Sequence, residues 1–454
     1  MGSSSSKFDW QIYPEPEQFL KNQVNDLLSK SRFTRDLATM IEVKTSTHFF
    51  DWIDHIVVPE NTIDYDTLVK LQFKENKQNE LPPDTRLFHN PNSTFFPLLV
   101  HKKDSIQLAL KPENIDDFCR IHSRGREIQG EPFSNYRKLE VHRKGNFQLT
   151  AVERRGYAGF LMKDQTDITG YLLALELFTS RDRNVGGDSG IKTIEGLITG
   201  SLEKLQASRV ADAFFRAERK YWTKKNRAAQ IQKARQDEMG LGWGNHDHHT
   251  FRSSRMNFIH LIRIFELMGM VPRESFFAGS QAGWGAQVLE QPDCNIVVFA
   301  DVDMGSEEKQ TDFAHDGLDQ RDQLGTAGLW VGLHGESILQ AGLHHLALKV
   351  AFKRQEQDLP EHGIPVMAPF SDFMFLKQAF TQGENWKVHD HYAKHLLENR
   401  WISQEQYITF VNTGAIGSHL ENIERAQGFK GFNQDSVSII INKTDPRRQL
   451  KKGA

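Results

Sequence analysis

His246-Asp-His-His-Thr-Phe-Arg252 is the stretch that decides the fold, because it is typical of a strand that leads into a helix and then into three further strands. Alternate residues of a strand point to opposite faces, so His248 and Arg252 share one face and His249 lies on the other. The helix that follows carries apolar residues at helical spacing and ends at Gly269. The three later strands are predicted at 273–277, 285–290 and 295–301.

The same β-α-β-β-β order returns at Gly342-Leu-His-His-Leu-Ala-Leu-Lys349. The helix of this second copy is predicted at 355–359, and its later strands near 365–367 and 416–424. The stretch 371–413 between those strands is predicted as an insertion with helical segments that walls or covers a site. An internal repeat of this size is a strong sign of architecture. We therefore predict an α+β fold in which two paired βαβββ modules curl into a half-open barrel.

The N-terminal half has its own organisation. Residues 7–45 are predicted to be helical, 48–165 follow the order β-α-β-β-β once more, and about 194–239 are mostly helical. We predict five parts: an N-terminal helical segment at 1–45, a degenerate βαβββ-like α+β domain at 46–182, an interdomain helical linker at 183–240, a catalytic domain at 241–445 and a tail at 446–454.

Charge and cysteine content narrow the class of protein. The 454 residues include 56 Lys+Arg and 59 Asp+Glu, so the chain lacks the positive charge typical of nucleic-acid binding. No apolar run approaches the roughly 18 residues that cross a bilayer. Cys119 and Cys294 are too few for a disulfide framework, which favours the cytoplasm. Residues 1–6 fit the myristoylation pattern formally, with Gly2 and Ser6, and a disordered Ser-rich segment fits them equally well.

Two histidines and one carboxylate are the candidate metal ligands. His345 lies on the face opposite the leucines of its strand, which leaves it free for a site. His248 is the candidate on the first strand, although His246 shares its face and could replace it. Glu421, on a late strand, is the candidate carboxylate, with an ion pair to Arg425 as its alternative role. Such a triad leaves positions on Fe(II) for a substrate and O2.

Three segments resemble 4-hydroxyphenylpyruvate dioxygenase, an iron-dependent 2-oxo acid dioxygenase of the glyoxalase-like vicinal oxygen chelate superfamily. Gly342-Leu-His-His-Leu-Ala-Leu-Lys349 is similar to its second iron-ligand strand, Leu420-Glu-Asn-Ile-Glu-Arg425 to its Glu-ligand strand, and Gly428-Phe-Lys-Gly-Phe-Asn433 to its C-terminal lid. A short apolar helix is predicted after the lid, at 437–441. His248-His-Thr-Phe-Arg252 resembles the first ligand segment of 2-oxoadipate dioxygenase/decarboxylase, a relative in the same superfamily. The resemblance covers roughly 241–445.

The resemblance also suggests roles for residues around the metal. The arginine that corresponds to Arg252 contacts a substrate carboxylate in the 2-oxoadipate family. Lys349, four residues after His345, is a second candidate for carboxylate binding, and a charged rim residue is the alternative for both. In 4-hydroxyphenylpyruvate dioxygenases a Gln-bearing strand precedes the Glu ligand. The comparable stretch here, Tyr407-Ile-Thr-Phe-Val-Asn412, has no Gln.

The sequence thus predicts an Fe(II)-dependent dioxygenase that acts with O2 on a 2-oxo acid or a related metal-chelating carboxylic acid, by oxidative decarboxylation and hydroxylation. Two alternatives remain open. One is a metal-dependent lyase, isomerase or extradiol-type dioxygenase on the same fold, and the other is a non-catalytic metal- or ligand-binding protein. The sequence predicts neither the substrate nor the oligomeric state.

Overall fold

A computed structural model describes residues 10–77, 80–162, 167–277, 283–433, 440 and 445–449. Its helices are α1 (Pro14–Ser29), α2 (Arg32–Thr45), α3 (Tyr65–Lys70), α4 (Ile115–His122), α5 (Ile168–Ser180), α6 (Gly187–Leu202), α7 (Ala207–Thr223), α8 (Arg227–Glu238), α9 (Phe258–Leu267), α10 (Thr326–His334), α11 (Phe352–Glu361), α12 (Asp390–Glu398), α13 (Gln404–Thr413) and α14 (Pro446–Gln449).

The strands of the N-terminal half are β1 (Ile53–Pro59), β2 (Lys74–Asn76), β3 (Thr85–His89), β4 (Leu98–His101), β5 (Ile106–Leu110), β6 (Ile128–Gln129), β7 (Tyr136–Lys144) and β8 (Phe147–Arg154). Those of the C-terminal half are β9 (His246–Ser253), β10 (Val271–Phe277), β11 (Trp284–Gln291), β12 (Ile296–Asp303), β13 (His345–Lys349), β14 (Ser371–Phe373), β15 (Leu376–Phe380), β16 (Glu384–Trp386) and β17 (Ala415–Arg425). Two mixed sheets with helices make the protein α+β, as predicted.

The C-terminal sheet has the topology expected of two paired βαβββ modules. Its strand order is β10-β11-β12-β9-β13-β17-β15-β14, and β16 pairs with β17 off this path. The first strands of the two modules, β9 and β13, are antiparallel neighbours at its centre. Each is parallel to the last strand of its own module, β9 to β12 and β13 to β17. The two halves of the sheet therefore match across its centre.

The second module differs from the prediction in its middle strands. Residues 365–367 form only an isolated bridge, from Val366 to Thr381. The strands β14, β15 and β16 lie instead within 371–413, which the sequence predicts as an insertion, and α12 and α13 follow them. The prediction is wrong here because strands of three to five residues carry too little alternation to reveal their period.

The N-terminal sheet repeats this plan, with the order β2-β3-β4-β1-β5-β8-β7-β6. β1 and β5 are antiparallel at its centre, and each is parallel to the last strand of its own βαβββ unit. The N-terminal half thus contains two such units, whereas the sequence analysis finds one. The first unit escapes notice because β2 has 3 residues and its helix α3 only 6.

The largest hydrophobic core packs against one face of β9. Phe251 of β9 contacts Phe265 of α9 at a ring separation of 5.0 Å, and Phe215 of α7 lies against both. His249 also faces this core, 5.0 Å from Phe215, so it lies on the face opposite His248, as predicted. The ring of His246, predicted on the face of His248, instead lies 5.3 Å from that of His249, because the pairing of β9 with β13 shifts register at this end. Burial of each phenylalanine is worth roughly 2–3 kcal/mol. That energy fixes the register, because a slip of one residue would reverse the two faces of the strand.

Some predicted features lie outside the described residues, namely residues 1–6 and all of the helix predicted at 437–441 except Ile440. Among the helices that are described, none has both the length and the apolar character that crossing a bilayer requires. Cys119 and Cys294 are free thiols.

Candidate metal centre

The structure brings His248, His345 and Glu421 together. Each offers one ligand atom, and these atoms lie within 4.8 Å of one another. The Oε2 atom of Glu421 is 3.2 Å from Nε2 of His248 and 3.1 Å from Nε2 of His345. The three residues are 3%, 7% and 2% exposed. Three side chains predicted from separate stretches of sequence therefore form one buried cluster, which we call the triad.

Strand pairing explains why the triad converges. The strands β9, β13 and β17 are consecutive in the sheet, with β13 in the middle. On β13, His345 pairs with Thr250 of β9, and Ala347 pairs with Glu421 of β17. Ala347 is small and lies two residues beyond His345, so it leaves the space above β13 to the larger side chains on either side.

Asp247 and Arg425 hold the first histidine in place. Asp247 accepts a hydrogen bond from Nδ1 of His248 at 3.0 Å, which directs Nε2 of that ring towards Glu421. Arg425 donates two hydrogen bonds to the same carboxylate, at 2.8 and 3.0 Å, and a third to the carbonyl of Gly431 at 2.6 Å. A carboxylate behind a histidine is the usual support of a metal ligand. Arg425 thus pairs with Asp247, which excludes the alternative ion pair with Glu421.

The charges of the triad are coupled. Burial alone would lower the pKa of His248, but Glu421 and Asp247 raise it to about 9. Burial alone would raise the pKa of Glu421, yet the two histidines hold it well below its usual range. Burial lowers the pKa of His345, and Glu421 opposes that shift. The negative charges of Glu421 and Asp247 thus favour a positive charge at the triad.

Gln378 is a site residue that the sequence analysis misses. It lies on β15, the neighbour of β17, and its Nε2 donates a hydrogen bond of 2.8 Å to Oε1 of Glu421. The buried Oε1 of Gln378 has no partner among the described residues. A Gln-bearing strand thus does precede the Glu strand, but at 376–380, whereas the stretch 407–412 belongs to helix α13. The only available signal was the Gln within a short run flanked by apolar residues.

Aromatic rings surround the triad. The ring of His248 lies 4.8 Å from Phe299 and 5.2 Å from Phe432, and that of His345 lies 5.2 Å from Phe380. Phe432, a candidate lid residue, is therefore at the site, whereas Phe429 packs on Phe375 at 4.8 Å. These rings help to bury the two histidines of the triad.

Two further polar groups contact His345 directly. The hydroxyl of Thr250 is hydrogen-bonded to its Nε2 at 2.8 Å, and Nδ1 of His344 lies 3.0 Å from its Nδ1. His246, by contrast, does not join the triad, because its Nδ1 is hydrogen-bonded to the carbonyl of Trp243 at 3.0 Å. Burial, followed by the charge of Arg219, lowers the pKa of His246 to about 3. The structure thus favours His248 over His246 as the candidate ligand.

Arg252 lies in the same interior as the triad and is 3% exposed. Its Nε is 3.8 Å from Oδ2 of Asp301, beyond hydrogen-bond distance. Neither that Nε nor Oδ1 of Asp301 has a hydrogen-bond partner among the described residues. Burial raises the pKa of Asp301 to about 7, although Arg252 and His248 oppose the shift. A buried cation with an unused donor is suited to receive the polar group of a ligand.

Lys349 lies elsewhere. It lines a large cavity between the N-terminal and C-terminal halves, together with Asp51 and Lys111. The positive charge of Lys349 favours the charged form of Asp51 and disfavours that of Lys111. The positive charge of Arg252, by contrast, helps to lower the pKa of His345. The structure therefore brings Arg252 towards the triad and places Lys349 in a different environment.

Comparisons with known proteins give distant similarities. No protein-family model matches the sequence, and neither does any curated protein. A protein of Shewanella frigidimarina, provisionally named a hydrolase, is 17% identical over 49% of this chain and 97% of its own, with a TM-score of 0.35. A variant of 4-hydroxymandelate synthase from Streptomyces coelicolor is 12% identical over 88% of this chain and 98% of its own, with a TM-score of 0.26.

A third solved structure, methylmalonyl-CoA epimerase from Mycobacterium tuberculosis, is 12% identical over 40% of this chain and 89% of its own, with a TM-score of 0.23. Similarities of this size do not assign the chain to a family.

Proposed function

We propose that His248, His345 and Glu421 bind Fe(II), and that the protein is a dioxygenase that acts on a 2-oxo acid or a related metal-chelating carboxylic acid. The buried triad carries the proposal. We further propose that 241–445 is the catalytic domain, that its sheet curls into a half-open barrel around the triad, and that the enzyme works in the cytoplasm.

The donor set fits this metal. Two imidazole nitrogens and one carboxylate are the facial ligand set of non-haem Fe(II) oxygenases. Ligands roughly 2.1 Å from a common ion and at right angles to one another are about 3 Å apart. The observed separations of 3.2 and 3.1 Å between the carboxylate oxygen and the two nitrogens match that value. Because a metal needs neutral histidines, a bound cation would replace the proton of His248.

Each neighbouring residue has a role in this proposal. Bound iron would supply sites for chelation of the 2-oxo acid and for O2. Asp247 orients the ring of His248, and Gln378 fixes the carboxylate of Glu421 while its own oxygen faces no other partner in the described chain. Arg252 binds the substrate carboxylate, because its guanidinium is buried and has an unused donor. Phe432 excludes water from the reacting groups.

Anaerobic reconstitution tests the proposal. Protein loaded with one equivalent of Fe(II) is mixed with O2 and a panel of 2-oxo acids, and O2 uptake and CO2 release are measured. We expect both with at least one acid, and neither with His345→Ala. His249→Gln is the matched control, because His249 is equally buried on the other face of β9. Metal binding without O2 uptake would favour a lyase or isomerase, and equal metal binding by wild type and His345→Ala would remove the proposed site.

A further inference from the structure

The cavity that Lys349 lines lies between the N-terminal and C-terminal halves of the chain, apart from the three residues of the triad. It has a volume of about 680 Å³, and its walls come from both halves of the chain and from α7. Lys111 follows β5 of the N-terminal sheet, Lys349 ends β13 of the C-terminal sheet, and Asp51 lies between the helix α2 and β1. Among the described residues that line it, none belongs to the triad. Its size is typical of a small-molecule site.

Most charged groups of its wall already neutralise one another. Four close ion pairs line the cavity: Asp54 with Arg154 at 2.8 Å, Asp212 with Arg216 at 2.9 Å, Asp247 with Arg425 at 2.8 Å and Glu290 with Lys430 at 3.1 Å. Such pairs leave little net field for a ligand to exploit. The charges that remain uncompensated therefore decide what the cavity attracts.

Lys111 and Lys349 are the uncompensated cations. Both are half-buried, and neither Nζ has a hydrogen-bond or salt-bridge partner in the described part of the chain. The two lysines leave neighbouring stretches of backbone, because the carbonyl of Lys111 lies beside Gly244 and the amide of Lys349 donates to the carbonyl of Asn245. Burial, followed by the charge of Lys349, lowers the pKa of Lys111 to about 8. Asp51 supplies one carboxyl group near both, and burial raises its pKa. The two lysines thus bring two positive charges to this part of the wall against the single carboxyl group of Asp51, whereas Asp293, another carboxylate of the lining, is exposed to solvent.

The same cavity has an apolar side. Phe50, Phe95, Phe96 and Trp243 line it together with the charged residues. A ligand that satisfies both surfaces has one anionic group and an apolar or aromatic body. A single carboxylate matches the excess charge, and it would relieve the repulsion between the two lysines.

We propose that this cavity is a binding site for a small aromatic or aliphatic monocarboxylate, whose carboxylate lies between Lys111 and Lys349 and whose apolar body packs on the phenylalanines. None of the proposed metal ligands lines this cavity, although Asp247, Arg425 and Phe432 line it and also surround the triad. The proposed site gives the N-terminal half a part in ligand recognition.

Calorimetric titration of the metal-free, full-length protein with 3-phenylpropionate tests the proposal. We expect saturable binding of one equivalent, and at least about tenfold weaker binding by Lys111→Met and by Lys349→Met. Lys138→Met is the matched control, because Lys138 is also half-buried but lies outside the cavity, where its Nζ donates to Gln107 at 2.8 Å; its affinity should stay near that of wild type. 3-Phenylpropionamide, which has no charge, should bind at least about tenfold more weakly than the acid.

A second measurement uses the wild-type protein, so its result does not depend on whether the lysine variants fold. Reductive methylation at pH 7.5, followed by peptide mass spectrometry, should modify Lys111 rapidly, and 3-phenylpropionate should protect it where the amide does not. His345→Ala should bind the acid as wild type does, which separates this site from the proposed metal centre. No binding at millimolar acid, equal binding of acid and amide, or affinity unchanged in both lysine variants would overturn the proposal.

Discussion

Asp247→Asn should weaken metal binding although it replaces none of the proposed ligands. Asp247 accepts the Nδ1 proton of His248 at 3.0 Å, and its negative charge makes that ring more basic. Loss of such a support typically costs 10–100-fold in metal affinity, or about 1.4–2.7 kcal/mol. We expect this loss for Mn(II) or anaerobic Fe(II) in calorimetric titration at pH 7.5.

The same substitution should also lower stability. Arg425 is 5% exposed in its side chain and pairs with Asp247 at 2.8 Å, so Asp247→Asn leaves a buried guanidinium without its counter-charge. Breaking a buried pair from one side costs about 3–5 kcal/mol. The double variant Asp247→Asn/Arg425→Gln removes the stranded charge as well, so it should regain part of the lost stability in chemical denaturation while its metal affinity stays low.

Asp358→Asn is the control for the metal measurement. Asp358 pairs with Arg235 at 2.8 Å between α8 and α11, so its loss perturbs an ion pair that does not support the triad. Metal affinity in this variant should equal that of wild type. If Asp247→Asn folds and binds metal within a factor of about two of wild type, the assignment of Asp247 as the support of His248 is wrong.

Three other outcomes follow from the structure. Gln378→Leu should bind metal several-fold more weakly than wild type in the same titration, because it removes the 2.8 Å hydrogen bond to Glu421; unchanged affinity would contradict this role. Arg252→Gln should lower kcat/KM for the best 2-oxo acid by about 10–100-fold, mainly through KM, since a charged hydrogen bond is worth about 1.5–3 kcal/mol; a loss confined to kcat would argue against carboxylate binding. Because the pKa of Lys111 is about 8 when folded and 10.5 in its ordinary state, the unfolded chain binds more protons between these values, and wild type should gain up to about 3 kcal/mol as the pH rises through that window. Lys111→Met should lack this gain in thermal unfolding at pH 7 and pH 10, and equal pH dependence of the two proteins would refute it.

Much of the C-terminal sheet could be predicted from sequence because its signals are local. The alternation along β9 separates His248 from His249, and the repeat of that strand at β13 predicts that His345 has an equivalent position. The face on which a strand residue lies follows from the local backbone geometry, because successive side chains point to opposite faces. The two histidines of the triad could be predicted for that reason.

The short elements could not be predicted this way. The strands β14, β15 and β16 hold 3, 5 and 3 residues, so their pairing partners, and not their own pattern, make them strands. Gln378 was missed for this reason. The first unit of the N-terminal sheet was missed for the same reason.

The sequence by itself determined the period of the strands, and with it His248, His345 and Glu421 as candidate ligands. Only the tertiary structure decided what surrounds the triad, because the ion-pair partner of a buried charge can lie far from it in the sequence. Arg425 reaches Asp247 across 178 residues of chain. Lys349 lies four residues, or about 13 Å, along β13 from His345. At that distance it lies away from the proposed metal and lines the cavity together with Lys111. The alternation of a strand predicts the face on which a residue lies, but not which site the residue reaches.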